Sequence, residues 1–127
     1  MTSRSHVSAL SGARILITGG AGFIGTHVVG ALVEQCDIVV LDNLRRNALA
    51  LAPWRRHPHL TLIRGDVLDA SVVRRAVAGV DYVLHMAAIA GVGTVVHNPA
   101  STLHVNLLGT HTVLNALRRR RSVQRFI

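Results

Sequence analysis

Gly19, Gly22 and Gly25 stand three apart in the run RILITGGAGFIG at residues 14–25. Glycines so spaced, between a β-branched apolar strand and an amphipathic helix, can cradle a diphosphate. Gly19 permits the tight turn out of the strand, and Gly22 lets backbone approach an anion with no Cβ in the way. Gly25 lets the helix pack closely on the sheet. The unpaired N–H groups of the helix start, with the positive pole of its dipole, complete an anion site. Asp42 follows about twenty positions past Gly19, at the end of a second apolar run. An acid there accepts hydrogen bonds from an adenosine ribose and repels a 2′-phosphate, so it favours NAD over NADP. Arg45 and Arg46, just behind, could instead receive a phosphate.

Strands at 15–17, 38–41, 60–63 and 82–85 alternate with helices, and 125–127 looks like the opening of a fifth strand. Asp69 is placed to cap a helix that stops at Gly79, a short helix fits before Pro53, and a long helix spans about 99–119. Such alternation predicts an α/β fold: a Rossmann-type doubly wound parallel sheet, truncated around the fifth strand. Residues 1–13 are read as a flexible leader. Residues 14–127 are read as an incomplete dinucleotide-binding domain whose substrate lobe is absent.

Half of the 127 residues are hydrophobic but only 3% are aromatic, so Ala, Val, Leu and Ile must fill the core. No apolar run reaches the ~18–20 residues of a membrane span, and the opening MTSRSHVSALSG lacks the apolar region of a signal peptide. Cys36 is the only cysteine, which rules out an internal disulfide and suits a reducing cytoplasm. His97 and His104 have no partners at metal-ligand spacing. The net charge of +8 comes from arginine alone, since the chain has no lysine. The run 118–121 closes the long helix, where cations suit the dipole. Without interleaved aromatics or a recognition element, the arginine pairs do not indicate nucleic acid as a partner.

TGGAGFIG (18–25), LDNL (41–44), RGDV (64–67), HMAA (85–88) and NLLGT (106–110) occur in that order. Together they resemble the extended short-chain dehydrogenase/reductase family, in its NAD-dependent nucleotide-sugar epimerase/dehydratase branch. The resemblance covers nearly the whole chain. It implies NAD as cofactor, with the backbone at Phe23 and Ile24 beside the glycines on the pyrophosphate. Asp42 and Asn43 would hold the adenosine ribose. Asp66 and Val67 would flank the adenine, the Asp66 carboxylate accepting from its exocyclic amine, unless Asp66 simply caps a turn. Ala87 and Ala88 would line the nicotinamide-side ribose, and Asn106 would tie the long helix to strand-four backbone. The family often dimerises through the long helices after strands four and five, which implies a homodimer of the full-length protein.

The stretch AAIAGV (87–92) looks more like the epimerases of UDP-hexoses or UDP-uronic acids. The 4,6-dehydratases usually carry acids near Ile89 and Gly93, and some galactose-type epimerases have a lysine where this chain has Ala90. The basic pairs would attract such anionic substrates. In the family a tyrosine takes a hydroxyl proton while a lysine four positions on lowers its pKa. The single tyrosine, Tyr82, sits in an apolar strand and no lysine exists, so the chain alone has no catalytic pair. The expectation is an NAD-binding portion of a nucleotide-sugar epimerase/dehydratase without turnover of its own. The alternative is a stand-alone NAD-binding sensor module.

Overall fold

The computed structural model describes residues 8–127, so the first part of the expected leader lies outside the described residues. Residues that follow it pack. A single 3-10 turn, Ser8–Leu10, precedes the sheet, Gly12 N–H donates to Gln35 O at 2.8 Å, and Leu10 lies against the core.

Five parallel strands carry the fold: β1 Arg14–Thr18, β2 Asp37–Asp42, β3 Leu60–Arg64, β4 Tyr82–His85 and β5 Arg125–Phe126. Their order is β3-β2-β1-β4-β5. The helices are α1 Phe23–Leu32, α2 Ala70–Ala76, α3 Val92–His97 and α4 Pro99–Leu117, with a 3-10 turn at Ala48–Leu51. In β1, Ile15 and Ile17 face one way and meet Val29 of α1 and Val33 just past its end, together with Ile38 and Val40 of β2. Leu16 faces the other way and meets Val39, Leu41, Val73, Val77 and Val113, which brings α2 and α4 onto that face. The period-two alternation of wholly apolar strands therefore builds two cores and a doubly wound sheet. Each fully buried aliphatic side chain contributes about 1.5–3 kcal/mol.

Asp69 caps α2, its side chain accepting from the Ser71 and Val72 amides. Gly79, with φ +69°, turns the chain out of that helix. The long helix ends at Leu117, slightly before the expected 119. One helix departs from the sequence reading. The segment 92–97 forms α3, none of whose residues is buried.

The order of strands reverses at β1. From there β2 and β3 extend to one side, and β4 and β5 to the other. Ligands of such sheets bind at this switch point, beyond the carboxyl ends of β1 and β4, which close on Thr18 and His85.

Candidate functional site

Gly19 leaves β1 with φ +72°, and a Cβ there would stand 2.7 Å from Ala87 N and 2.8 Å from Met86 C. Glycine is required twice over, by the dihedral and by the chain after β4 pressing against it. Gly25 has a different reason from the expected one. Its hydrogen faces the entry turn, where a Cβ would strike Gly19 O and lie 2.6 Å from Gly20 Cα. It allows α1 to approach its own loop, and this approach, not packing on the sheet, is what needs the missing Cβ. At Gly22 a Cβ would meet only Gly19 O, at 3.2 Å.

Gly22 is the N-cap of α1 and supplies no side-chain bond to the helix start. Among the described residues the Phe23, Ile24 and Gly25 amides find no acceptor. The Phe23 and Ile24 side chains are 75% and 64% exposed. An uncapped first turn behind a bare glycine is a cradle for an anion.

Asp42 closes β2 and is half-buried. Its Oδ2 accepts from the Ala21 amide at 3.0 Å and its Oδ1 from the Leu44 amide at 2.7 Å. Each oxygen keeps a lone pair for a further donor. Leu44 takes φ +63°, a conformation that bond supports. Asn43 is exposed, and its Oδ1 accepts from Arg45 N at 3.1 Å.

Asp66 lies in the turn after β3, exposed, with Oδ1 accepting from Leu68 N at 2.9 Å. It does cap a turn, and its other oxygen has no partner among the described residues. Val67 is buried, at 6% exposure, and its side chain packs where Gly109 lacks a Cβ. Ala87 is half-buried and Ala88 exposed. Asn106 of α4 grips Ile89 with both ends of its amide: Oδ1 accepts from Ile89 N at 2.7 Å, and Nδ2 donates to Ile89 O at 3.0 Å. The tie falls beyond β4, on the loop that follows it, and not on the strand itself. Parallel strands place the carboxyl ends of β1, β2, β3 and β4 on one edge of the sheet, which brings these residues to one rim.

Two residues carry more than their sequence reading. Thr18, a strand end, accepts at Oγ1 from the Met86 and Ala87 amides at 3.1 and 3.2 Å. His85, the last residue of β4, bonds through both ring nitrogens: Nδ1 to Thr18 Oγ1 at 2.7 Å and Nε2 to Thr110 Oγ1 at 3.1 Å. Its ring also stacks on Phe126, with centroids 5.8 Å apart. Burial pushes its pKa below the usual histidine value. The signals available were the T of TGG, the H of HMAA and the T of NLLGT, each visible but not connected by sequence distance. Tyr82 donates its hydroxyl hydrogen to Gln124 Oε1 at 2.9 Å, away from this rim.

Two histidine–carboxylate contacts occur among the described residues, His57–Glu34 at 3.6 Å and His59–Asp37 at 2.7 Å, and no arginine there lies within 4 Å of a carboxylate. Burial, with Asp37 adding to it, pushes the Cys36 thiol up. No helix among the described residues is long and apolar enough to cross a membrane.

The model of the "NAD dependent epimerase/dehydratase family" matches residues 15–127. A dTDP-glucose 4,6-dehydratase of Mycobacterium tuberculosis (strain ATCC 25618 / H37Rv) is 42% identical over 113 residues, covering 84% of this chain and 33% of the relative. UDP-glucuronic acid decarboxylase 6 of Arabidopsis thaliana is 38% identical over 112 residues, covering 86% and 31%. Among solved structures, an epimerase of Methanothermobacter thermautotrophicus superposes with a TM-score of 0.84 at 33% identity, over 94% of this chain and 35% of that one. WbmF of Bordetella bronchiseptica, in complex with NAD+, also gives a TM-score of 0.84, at 26% identity, over 94% and 36%. The chain spans about a third of the length of the curated relatives it matches.

Proposed function

Because the chain belongs to the NAD dependent epimerase/dehydratase family, we propose that it is the NAD-binding part of an enzyme acting on a nucleotide-linked sugar. The observation that carries this reading is the bare glycine cradle at the start of α1, with Asp42 fixed beside it. In the proposal the Gly19–Gly25 turn and the Phe23 and Ile24 amides receive the pyrophosphate. Asp42 and Asn43 take the adenosine ribose, the free oxygen of Asp66 and the Val67 backbone take the adenine, and Ala87 and Ala88 line the second ribose. Asn106 supports that last segment through Ile89. NAD, when bound, supplies a hydride acceptor; this chain's residues bind and orient it.

The relatives are dehydratases, decarboxylases and epimerases. They favour an enzyme over a stand-alone sensor and share a nucleotide sugar as the named substrate class. The segment 87–92, without acids, supports a UDP-hexose or UDP-uronic acid C4 epimerase as the parent activity. The chain has no lysine to partner a catalytic tyrosine, so we assign it binding without turnover. A second copy of the protein would pair through α4, where Leu103, Leu107 and Leu114 lie exposed along one face. The single free thiol supports a cytoplasmic setting.

Calorimetric titration of the chain with NAD and NADP tests the proposal. Saturable binding of NAD, at least about tenfold tighter than NADP, is expected, together with no conversion of UDP-glucose or dTDP-glucose. Absence of NAD binding, or a preference for NADP, would overturn it.

A further inference from the structure

We propose that His85 is a positioning residue which, as a neutral ring protonated at Nε2, fixes the Thr18 hydroxyl as the clasp for the turn after β4. The arrangement follows from counting hydrogens. The Met86 and Ala87 amides can only donate: Ala87 N–H points at Thr18 Oγ1 at 3.2 Å, and Met86 N–H is shared between Thr18 O at 3.0 Å and Thr18 Oγ1 at 3.1 Å. Both face lone pairs of that hydroxyl oxygen, and the Ala87 amide depends on it alone. The remaining hydroxyl hydrogen has one partner within reach, His85 Nδ1 at 2.7 Å. Nδ1 must therefore carry a lone pair, and the ring hydrogen sits on Nε2. From there it meets Thr110 Oγ1 at 3.1 Å, and the Thr110 hydroxyl donates onward to Asn106 O at 2.7 Å. With this assignment every hydrogen of the relay has an acceptor, whereas a proton on Nδ1 would leave the Thr18 hydroxyl hydrogen with none among the described residues.

This relay joins β1, β4 and α4 at the switch point and ends on the residue whose side chain holds Ile89. Both routes converge on the segment 86–89, the loop against which Gly19 is packed. A proton added at Nδ1 would confront the Thr18 hydroxyl with a third donor and only two lone pairs. Met86 N–H would keep Thr18 O, so the loss would fall on the contacts to Oγ1, that of the Ala87 amide above all. The groups facing the ring are neutral: Thr18 from β1, Thr110 from α4 and Phe126 from β5. The Ile127 main-chain oxygen accepts from the His85 backbone amide at 2.8 Å, and burial alone accounts for the direction of the imidazole's titration. The functional consequence rests on the cofactor reading above; the proton arrangement does not.

The test uses the full 127-residue chain, labelled with 15N. Long-range imidazole correlations at about pH 7.5 should show His85 with bare Nδ1 and protonated Nε2. On acidification the Met86 and Ala87 amide resonances should move with the His85 midpoint. The opposite tautomer, or amides that ignore the titration, would overturn the proposal. In parallel, Thr18→Val and His85→Phe should weaken NAD at least about tenfold, while Thr18→Ser and His85→Gln recover most of the loss. Thr18→Ser restores the hydroxyl, and His85→Gln offers one acceptor and one donor. Equal losses in all four variants, at matched melting temperatures, would count against the relay. If the parent chain binds no NAD, the cofactor reading fails and the tautomer measurement still decides the relay.

Discussion

The Ala21 amide, in the glycine turn, donates to Asp42 Oδ2 at 3.0 Å, binding the end of β2 to the loop after β1. The acid that faces the ribose in our proposal therefore also holds the turn that faces the pyrophosphate. Removing it does more than relax the choice between NAD and NADP. Asp42→Ala should destabilise the chain by about 2 kcal/mol and weaken NAD at least about tenfold without creating a site for NADP. Asp42→Asn keeps an acceptor and should retain most of the stability while losing affinity. Urea melts and calorimetry on the two variants separate these effects.

Two glycines separate backbone strain from crowding. Gly12 has φ +78° with nothing within 4 Å of a Cβ, whereas Gly19 has φ +72° with Ala87 N at 2.7 Å. Gly12→Ala should cost about 1–2 kcal/mol. Gly19→Ala should cost about 3 kcal/mol or more, because the segment after β4 must move. Similar costs in the two denaturation curves would contradict the close approach of that segment.

Asn106 satisfies both polar groups of Ile89. Asn106→Ala leaves an amide and a carbonyl without partners and should cost about 2 kcal/mol. Asn106→Asp can still accept from Ile89 N but sets an anionic oxygen against Ile89 O. It should be the less stable of the two at neutral pH and recover as the carboxylate protonates. Chemical denaturation at two pH values gives the order.

Acid should destabilise the fold in two windows. His85 titrates below its ordinary 6.5 in the folded chain. Between that value and the lower folded one, the unfolded chain takes up a proton that the folded chain refuses. Stability is then whole above about pH 6.5 and falls as the pH drops through that window. Asp69 is held below its ordinary 3.8 by bonds from Ser71 and Val72. Its contribution is whole above that value and is lost only in stronger acid. Urea midpoints should decline in the upper window for the parent chain and stay flatter for His85→Gln.

The α4 stripe gives a test of assembly. Leu103 and Leu107 are 66% and 62% exposed, and light scattering should report a concentration-dependent dimer. Leu107→Glu should shift it to monomer while leaving the melting temperature within a few degrees, as suits an exposed position. A monomer in the parent chain at all concentrations would remove the α4 pairing.

Much of this architecture can be read from local signals. The β-branched runs name the four longer strands, the glycine spacing names the turn, and Asp69 with Gly79 brackets α2, because each signal acts over a few residues. α3 is different. VGTVVH is rich in β-branched residues and buries none of its side chains, so neither propensity nor periodicity marks it as a helix. The site divides in the same way. Gly19 and Asp42 stand out by type and spacing, yet the bond from Ala21 to Asp42 and the relay through His85 depend on strands meeting in space. Val67 belongs to a recognisable motif, but the missing Cβ of Gly109, on a distant helix, is what draws its side chain inward.

The clasp between Thr18 and Met86 spans 68 positions of chain. A contact of that separation forms late, since its loop must close before anything is gained from it. The first βαβ unit can collapse as it leaves the ribosome, but its glycine turn has no backstop until β4 has docked beside β1. Affinity for the dinucleotide should thus appear abruptly during synthesis, once the polypeptide has emerged past Thr110 of the relay. Cofactor capture would time-stamp the moment when the two halves of the sheet first join.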